Sequence, residues 1–89
     1  MKNVEYYDIV EYPVITEKSV NLISSDNRIT FVVNKIANKA QIREAVEKLY
    51  NVKVQKINVL KDRKNRKKAM VTLKKGFSAQ DLANKLGVI

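Results

Sequence analysis

Cysteine and histidine are both absent from this 89-residue chain. Without thiols there is no disulfide framework, no thiolate nucleophile and no sulfur-rich zinc site. Without imidazole, the residue most used for proton transfer near neutral pH and the commonest ligand of transition metals is missing too. The sequence therefore argues against catalysis and predicts no cofactor and no small-molecule substrate. Two glycines and one proline are too few for a low-complexity linker, and no glycine-rich phosphate loop is present. No run of about 18 apolar residues occurs, and Met1 to Val10 carries Glu5 and Asp8 with no apolar stretch of signal-peptide length. Neither export nor direct membrane insertion is expected.

What is present suits one small core. Hydrophobic residues make up 45% of the chain, enough to fold residues 1–89 as a single domain near the lower size limit for doing so without staples. The net charge of +9 is concentrated: Lys53 to Lys75 holds ten basic residues and one acid, Asp62, and the remaining sequence is neutral. Charge gathered in this way suits a polyanion, because each cation placed on a phosphate releases condensed counterions. A solvated surface that serves solubility is the alternative.

The hydrophobic pattern divides the chain into short elements. Asp8 to Tyr12 reads as a short strand ending at Pro13, which cannot donate to a ladder. Thr16 caps a helix running to about Ser24, with Ile15 placed to close a staple on Val20. After the turn cluster 24–27, Arg28 to Val33 reads as a strand with Ile29, Phe31 and Val33 on one face. Asn38 and Gln41 form a capping-box pair before a helix in which Ile42, Ala45, Val46 and Leu49 recur at helical spacing. Val52 and Val54 are apolar at even positions, Ile57 and Val59 at odd ones. An inserted residue near Gln55 or Lys56, a β-bulge, keeps all four on the core face. Ala69, Val71 and Leu73 continue the alternation in a second strand of the same hairpin. Ser78 caps a last helix with Leu82, Ala83 and Leu86, stopped at Gly87. The sum is an α+β fold: a mainly antiparallel sheet of three to four strands, two to three helices and a basic β-hairpin loop.

The hairpin tip, Lys61 to Lys68, has six cations among eight residues. Arg63 and Arg66 suit bidentate phosphate contacts, and Lys61, Lys64, Lys67 and Lys68 serve as mobile point charges. Lys53, Lys56 and Lys74 extend the basic segment. The alternative is a solvated loop that discourages edge-to-edge aggregation. No helix has the basic face that reads a DNA major groove, since Arg43 and Lys48 are set against Glu44 and Glu47, so an RNA fold read by shape is the better fit. Aromatic stacking as in an RNA recognition motif is not expected, because the central strands offer only Phe31. Residues 1–26 hold two lysines and five acids, which suggests an acidic pole opposite a basic one. Glu17 in the first helical turn is a favourable charge there in any case.

Several segments in order carry a family resemblance. They are Asp8-Ile9-Val10 with Pro13 to Ser19, Ala37 to Glu47, Val52-Lys53-Val54 with Val59-Leu60, Lys67 to Leu73, and Leu86 to Ile89. Together they resemble large-subunit ribosomal protein twenty-three in its archaeal form. The resemblance implies a structural cytoplasmic protein bound to large-subunit rRNA beside the exit of the nascent-peptide tunnel. It implies ribosomal protein twenty-nine as a neighbour, and the signal recognition particle and translocon as docking partners. Lys18, Lys39 and the hairpin from Val52 to Leu73, including Asn58 and Asn65, match segments that face rRNA in the family. Glu17 matches the glutamate that bacterial relatives use to dock the ribosome-bound chaperone. Val59 and Met70 depart from the threonine and aromatic common in the family, so neither a threonine contact nor a stacking contact carries over. The bacterial hairpin is longer and reaches into the tunnel, so no contact with peptide inside the tunnel is inferred for this shorter tip. A free-standing regulatory domain whose basic loop binds acidic partners or anionic membrane surface is the competing reading.

Overall fold

The structure, a computed structural model, describes residues 6–87. Val88 and Ile89 of the terminal motif, and Lys2 and Glu5 of the acidic segment, lie outside them. The elements run α1 (Tyr6–Ile9), β1 (Val10–Pro13), α2 (Glu17–Asp26), β2 (Arg28–Val33), α3 (Lys39–Tyr50), β3 (Val54–Lys61), β4 (Lys67–Leu73) and α4 (Ala79–Leu86). Four antiparallel strands pair in the order β1-β2-β4-β3.

Side-chain alternation decides which face of the sheet is covered. Ile29, Phe31 and Val33 of β2, with Ala69, Val71 and Leu73 of β4, point into one cluster. Ile23 of α2, Ile42, Ala45 and Val46 of α3, and Leu82 and Ala83 of α4 complete it, so the helices cover this face, while Ser19 and Leu22 of α2 also line a groove with Thr30 and Met70 of the opposite face. Phe31 is fully buried and stacks on Tyr50 with ring centroids 5.7 Å apart. It is a packing residue and not a platform for a base. The hairpin phase change is a bulge as the pattern predicts: Val54 pairs with Leu73, but Lys56 pairs with Thr72. Val54 and Ile57 are both buried as a result.

The first segment differs from its sequence reading. Residues 6–9 form a helical turn, and the strand begins only at Val10. Tertiary contacts outweigh strand preference here: the Tyr6 hydroxyl donates to Glu44 at 2.8 Å, and Ile9 is buried while its carbonyl accepts from the Asn34 amide. Pro13 closes β1 opposite Phe31 and is tolerated because β1 is an edge strand. Ile15 is 63% exposed and closes no staple on Val20. The helix start is instead secured by reciprocal bonds between Thr16 and Ser19. The Asn38–Gln41 box of α3 and the Ser78 cap and Gly87 stop of α4 form as expected.

Asn27, which the sequence shows only as part of a turn cluster, ties α2 to the far end of the chain. Its backbone is left-handed at φ 54°, which an asparagine tolerates better than most side chains. Its side-chain amide donates to the carbonyls of Leu73 and Phe77 at 3.2 and 2.9 Å, and its oxygen accepts from the Ala79 amide at 2.7 Å. Asn27→Ala leaves these three backbone groups without that partner and strains the left-handed turn. We expect it to lower stability by about 2–4 kcal/mol, read as a shifted urea midpoint with unchanged slope. Asn27→Gly relieves the strain alone and should recover only part of the loss.

Candidate nucleic-acid interface

The hairpin tip is ordered by its one acid. The Asp62 carbonyl accepts from the Asn65 amide at 3.1 Å, closing a turn whose last residue, Asn65, is left-handed at φ 63°. The Asp62 carboxylate accepts from the backbone amides of Lys64 and Arg66, both at 2.9 Å, and from Arg66 Nε at 2.8 Å. Lys68 Nζ lies 3.5 Å from the same carboxylate. The backbone donation from Arg66 leads the effects that hold this carboxyl down to about 2, below the usual carboxylate range. Sequence reading counted Asp62 only as a charge to subtract. The available signal was an aspartate at the start of a short polar turn, where its side chain bonds the backbone two residues on.

This network divides the six tip cations. Arg66 is bound to Asp62 and lies 3.5 Å from the Tyr12 hydroxyl, too long for a good hydrogen bond. Lys68 sits beside Asp62. Lys67 turns towards the helix layer, where its ammonium donates to the carbonyls of Ala37 and, at 3.3 Å, Lys35. That leaves Lys61, Arg63 and Lys64, all exposed, whose charged side chains have no hydrogen-bond or ion-pair partner among the described residues. Asn65 is exposed beside them.

The other sequence-predicted residues spread along the hairpin and the open face of the sheet. Strand register puts Tyr12, Val32, Lys68 and Leu60 in one row, Thr30, Met70 and Asn58 in the next, and Arg28, Thr72 and Lys56 in a third. Arg28 Nε donates to Thr72 Oγ1 at 3.2 Å within that third row. Lys18 is exposed on α2 and lines a shallow groove with Leu60, Lys68 and Met70. Lys39, at the start of α3, lines a depression with Arg43 and Lys56. Lys53 and Lys74 are exposed at the end of the hairpin away from its tip, joined through a backbone bond of 3.0 Å. Glu17 is exposed in the first turn of α2.

The amino-terminal segment approaches the basic hairpin at two places. Tyr12 reaches the hairpin tip through Arg66, and Thr16 and Lys18 share a groove with Leu60 and Lys68.

A sequence model of the family described as ribosomal protein L23 matches residues 8–66. The chain belongs to that family. It is 50% identical over 76 residues to the large ribosomal subunit protein uL23 of Pyrobaculum aerophilum, covering 85% of this chain and 94% of that relative. It is 44% identical over 85 residues to the uL23 protein of Dictyostelium discoideum, covering 96% of this chain but only 50% of the relative's length. The chain thus spans about half of the longer relative. It is a structural, non-catalytic protein of the large ribosomal subunit in the cytoplasm, which accords with the family resemblance read from its sequence.

The sign of the Asp62 shift sets a pH dependence. Its folded pKa lies below the unfolded value near 3.8, so its support for the tip is complete above about pH 4 and lost as pH falls through about 2. An NMR titration should show the Asp62 carboxyl changing near pH 2, together with the amides of Lys64 and Arg66. A carboxyl that titrates at the ordinary aspartate value means the network is not formed in solution.

Proposed function

We propose that this protein is seated on large-subunit rRNA beside the exit of the nascent-peptide tunnel, with the hairpin and the open sheet face as its RNA-binding surface. The observation that carries this reading is the exposure of Lys61, Arg63 and Lys64 on a turn that Asp62 already holds in place. Cations without internal partners are available to phosphates, and an ordered turn loses little entropy when it docks. Lys53, Lys56 and Lys74 along the hairpin, with Lys18 and Lys39 beside it, extend the contact. Asn58 and Asn65 supply neutral polar groups at the same surface. Arg66, Lys67 and Lys68 contribute field and shape, since their charged ends have internal contacts.

The segment at the start of α2 is the proposed docking surface for factors that meet the emerging chain, including the signal recognition particle and the translocon. Ribosomal protein twenty-nine is the proposed neighbour. Exposed Glu17, two positions after Ile15, which is 63% exposed, supplies a carboxylate, and Ile15 an apolar side chain, the two kinds of group a protein partner uses for specificity and contact area.

A filter-binding titration against large-subunit rRNA fragments over a range of salt tests the RNA reading. Three phosphate contacts at the tip alone give a log–log slope of roughly −2 to −3, and the flanking lysines steepen it. Weak binding with a shallower slope overturns the proposal. Replacing Arg63 and Lys64 with Gln should make the slope shallower by about two and leave the unfolding midpoint nearly unchanged. Replacing Arg66 disturbs the Asp62 network and should also loosen the tip. For Glu17→Ala we expect normal RNA binding and weaker co-sedimentation of the signal recognition particle with ribosomes. Unchanged co-sedimentation would leave Glu17 as a helix-start charge.

A further inference from the structure

The groove between α2 and the open sheet face has a composition unlike that of the hairpin tip. Val14, Leu22, Leu60 and Met70 give it aliphatic walls, Lys18 and Lys68 its charge, and Thr16, Ser19 and Thr30 its hydroxyls. No carboxylate lines it, although that of Asp62 lies 3.5 Å from Lys68. Its volume is about 170 Å³. Sites for drug-sized ligands run to roughly 300–1,000 Å³, so this one has room for a single ring system and too little for a helix or a cofactor. Leu60 remains 43% exposed there, an aliphatic side chain paired across the sheet with Lys68.

We propose that this groove seats one unstacked nucleotide of the bound RNA. Its base lies against Leu60 and Met70, and a flanking phosphate meets Lys18, with Lys68, beside Asp62, adding its field. Charge complementarity calls for an anionic occupant, and shape favours an RNA segment over an acidic peptide: a nucleotide brings one flat ring beside its phosphates, matching aliphatic walls with one ammonium on α2 and one on β4. The Thr16 hydroxyl is already bonded to Ser19, and Ser19 donates to the carbonyls of Val14 and Thr16. Few free polar groups are left to read a base edge, so the seat accepts any base. This inference rests on the RNA reading above and adds to it a place where the RNA must open.

Two measurements on the intact chain test it. Leu60→Ala combined with Met70→Ala should weaken binding to large-subunit rRNA fragments by roughly five- to tenfold, at the low end of what seating a base contributes, with the salt slope unchanged. In the wild-type protein, a short single-stranded RNA should move the Met70 methyl resonance upfield by ring current. A duplex of the same sequence should leave that methyl in place while shifting Arg63 and Lys64. If the wild-type chain binds rRNA with the steep salt slope, but the double variant binds as well and the Met70 methyl does not move, the groove proposal is overturned and the RNA reading stands. If the wild-type chain does not bind rRNA, both fail together.

Discussion

One extra residue between Val54 and Lys56 sets the facing of every side chain in β3. Without that bulge, continued alternation would keep even-numbered residues on the core face, burying Lys56 and Asn58 and exposing Ile57. With it, Val54 and Ile57 both reach the core, and Lys56, Asn58 and Leu60 are delivered to the open face beside Lys68, Met70 and Thr72 of β4. Burying an unpaired ammonium costs far more than a bulge, so the apolar pattern and the charge pattern enforce the same register. The side chains of α3 reinforce it, since Glu47 accepts from the Val54 amide at 2.9 Å and Arg43 donates to the Gln55 carbonyl at 3.3 Å.

From that register follows a molecule with two unlike sides. Helices bury the apolar side of the sheet; on the other side Thr30 and Val32 of β2 are covered as well, and the hairpin strands carry cations among aliphatic and hydroxyl groups. The segment from β1 into α2 closes one margin of this side, bringing the proposed docking residue Glu17 next to Lys18 in sequence and near the proposed RNA-binding surface in space. An RNA contact and a protein contact could then be neighbours. On that proposal, bound RNA would fix the orientation in which the helix start is presented.

Much of this was legible because it depends on short-range rules. Alternation with its phase change located the hairpin, and capping residues located the helices at Thr16, Asn38 and Ser78. What escaped depends on partners distant in sequence. Asn27 is recognisable as a hub only when Leu73, Phe77 and Ala79 are seen around it, about fifty positions away. The helical turn at 6–9 is stabilised by Glu44 and Asn34, so local preference for a strand misled. Ile15 obeyed the spacing of a staple, but spacing cannot tell an apolar side chain turned inward from one left in water.

The basic segment shows the same limit in its charges. Counting gives six cations at the tip of equal standing, and family resemblance treats them alike. Geometry separates them, because an acid in a cluster of cations attracts some of them at the expense of external partners. Asp62 takes Arg66 and approaches Lys68, and two carbonyls take Lys67. The remaining three stand outside that network on a backbone it has fixed. A tip without Asp62 would carry one more unit of positive charge, yet it would have to lose conformational freedom before its cations could meet phosphates in a defined pattern. One acid among the cations therefore favours specific docking over maximal charge.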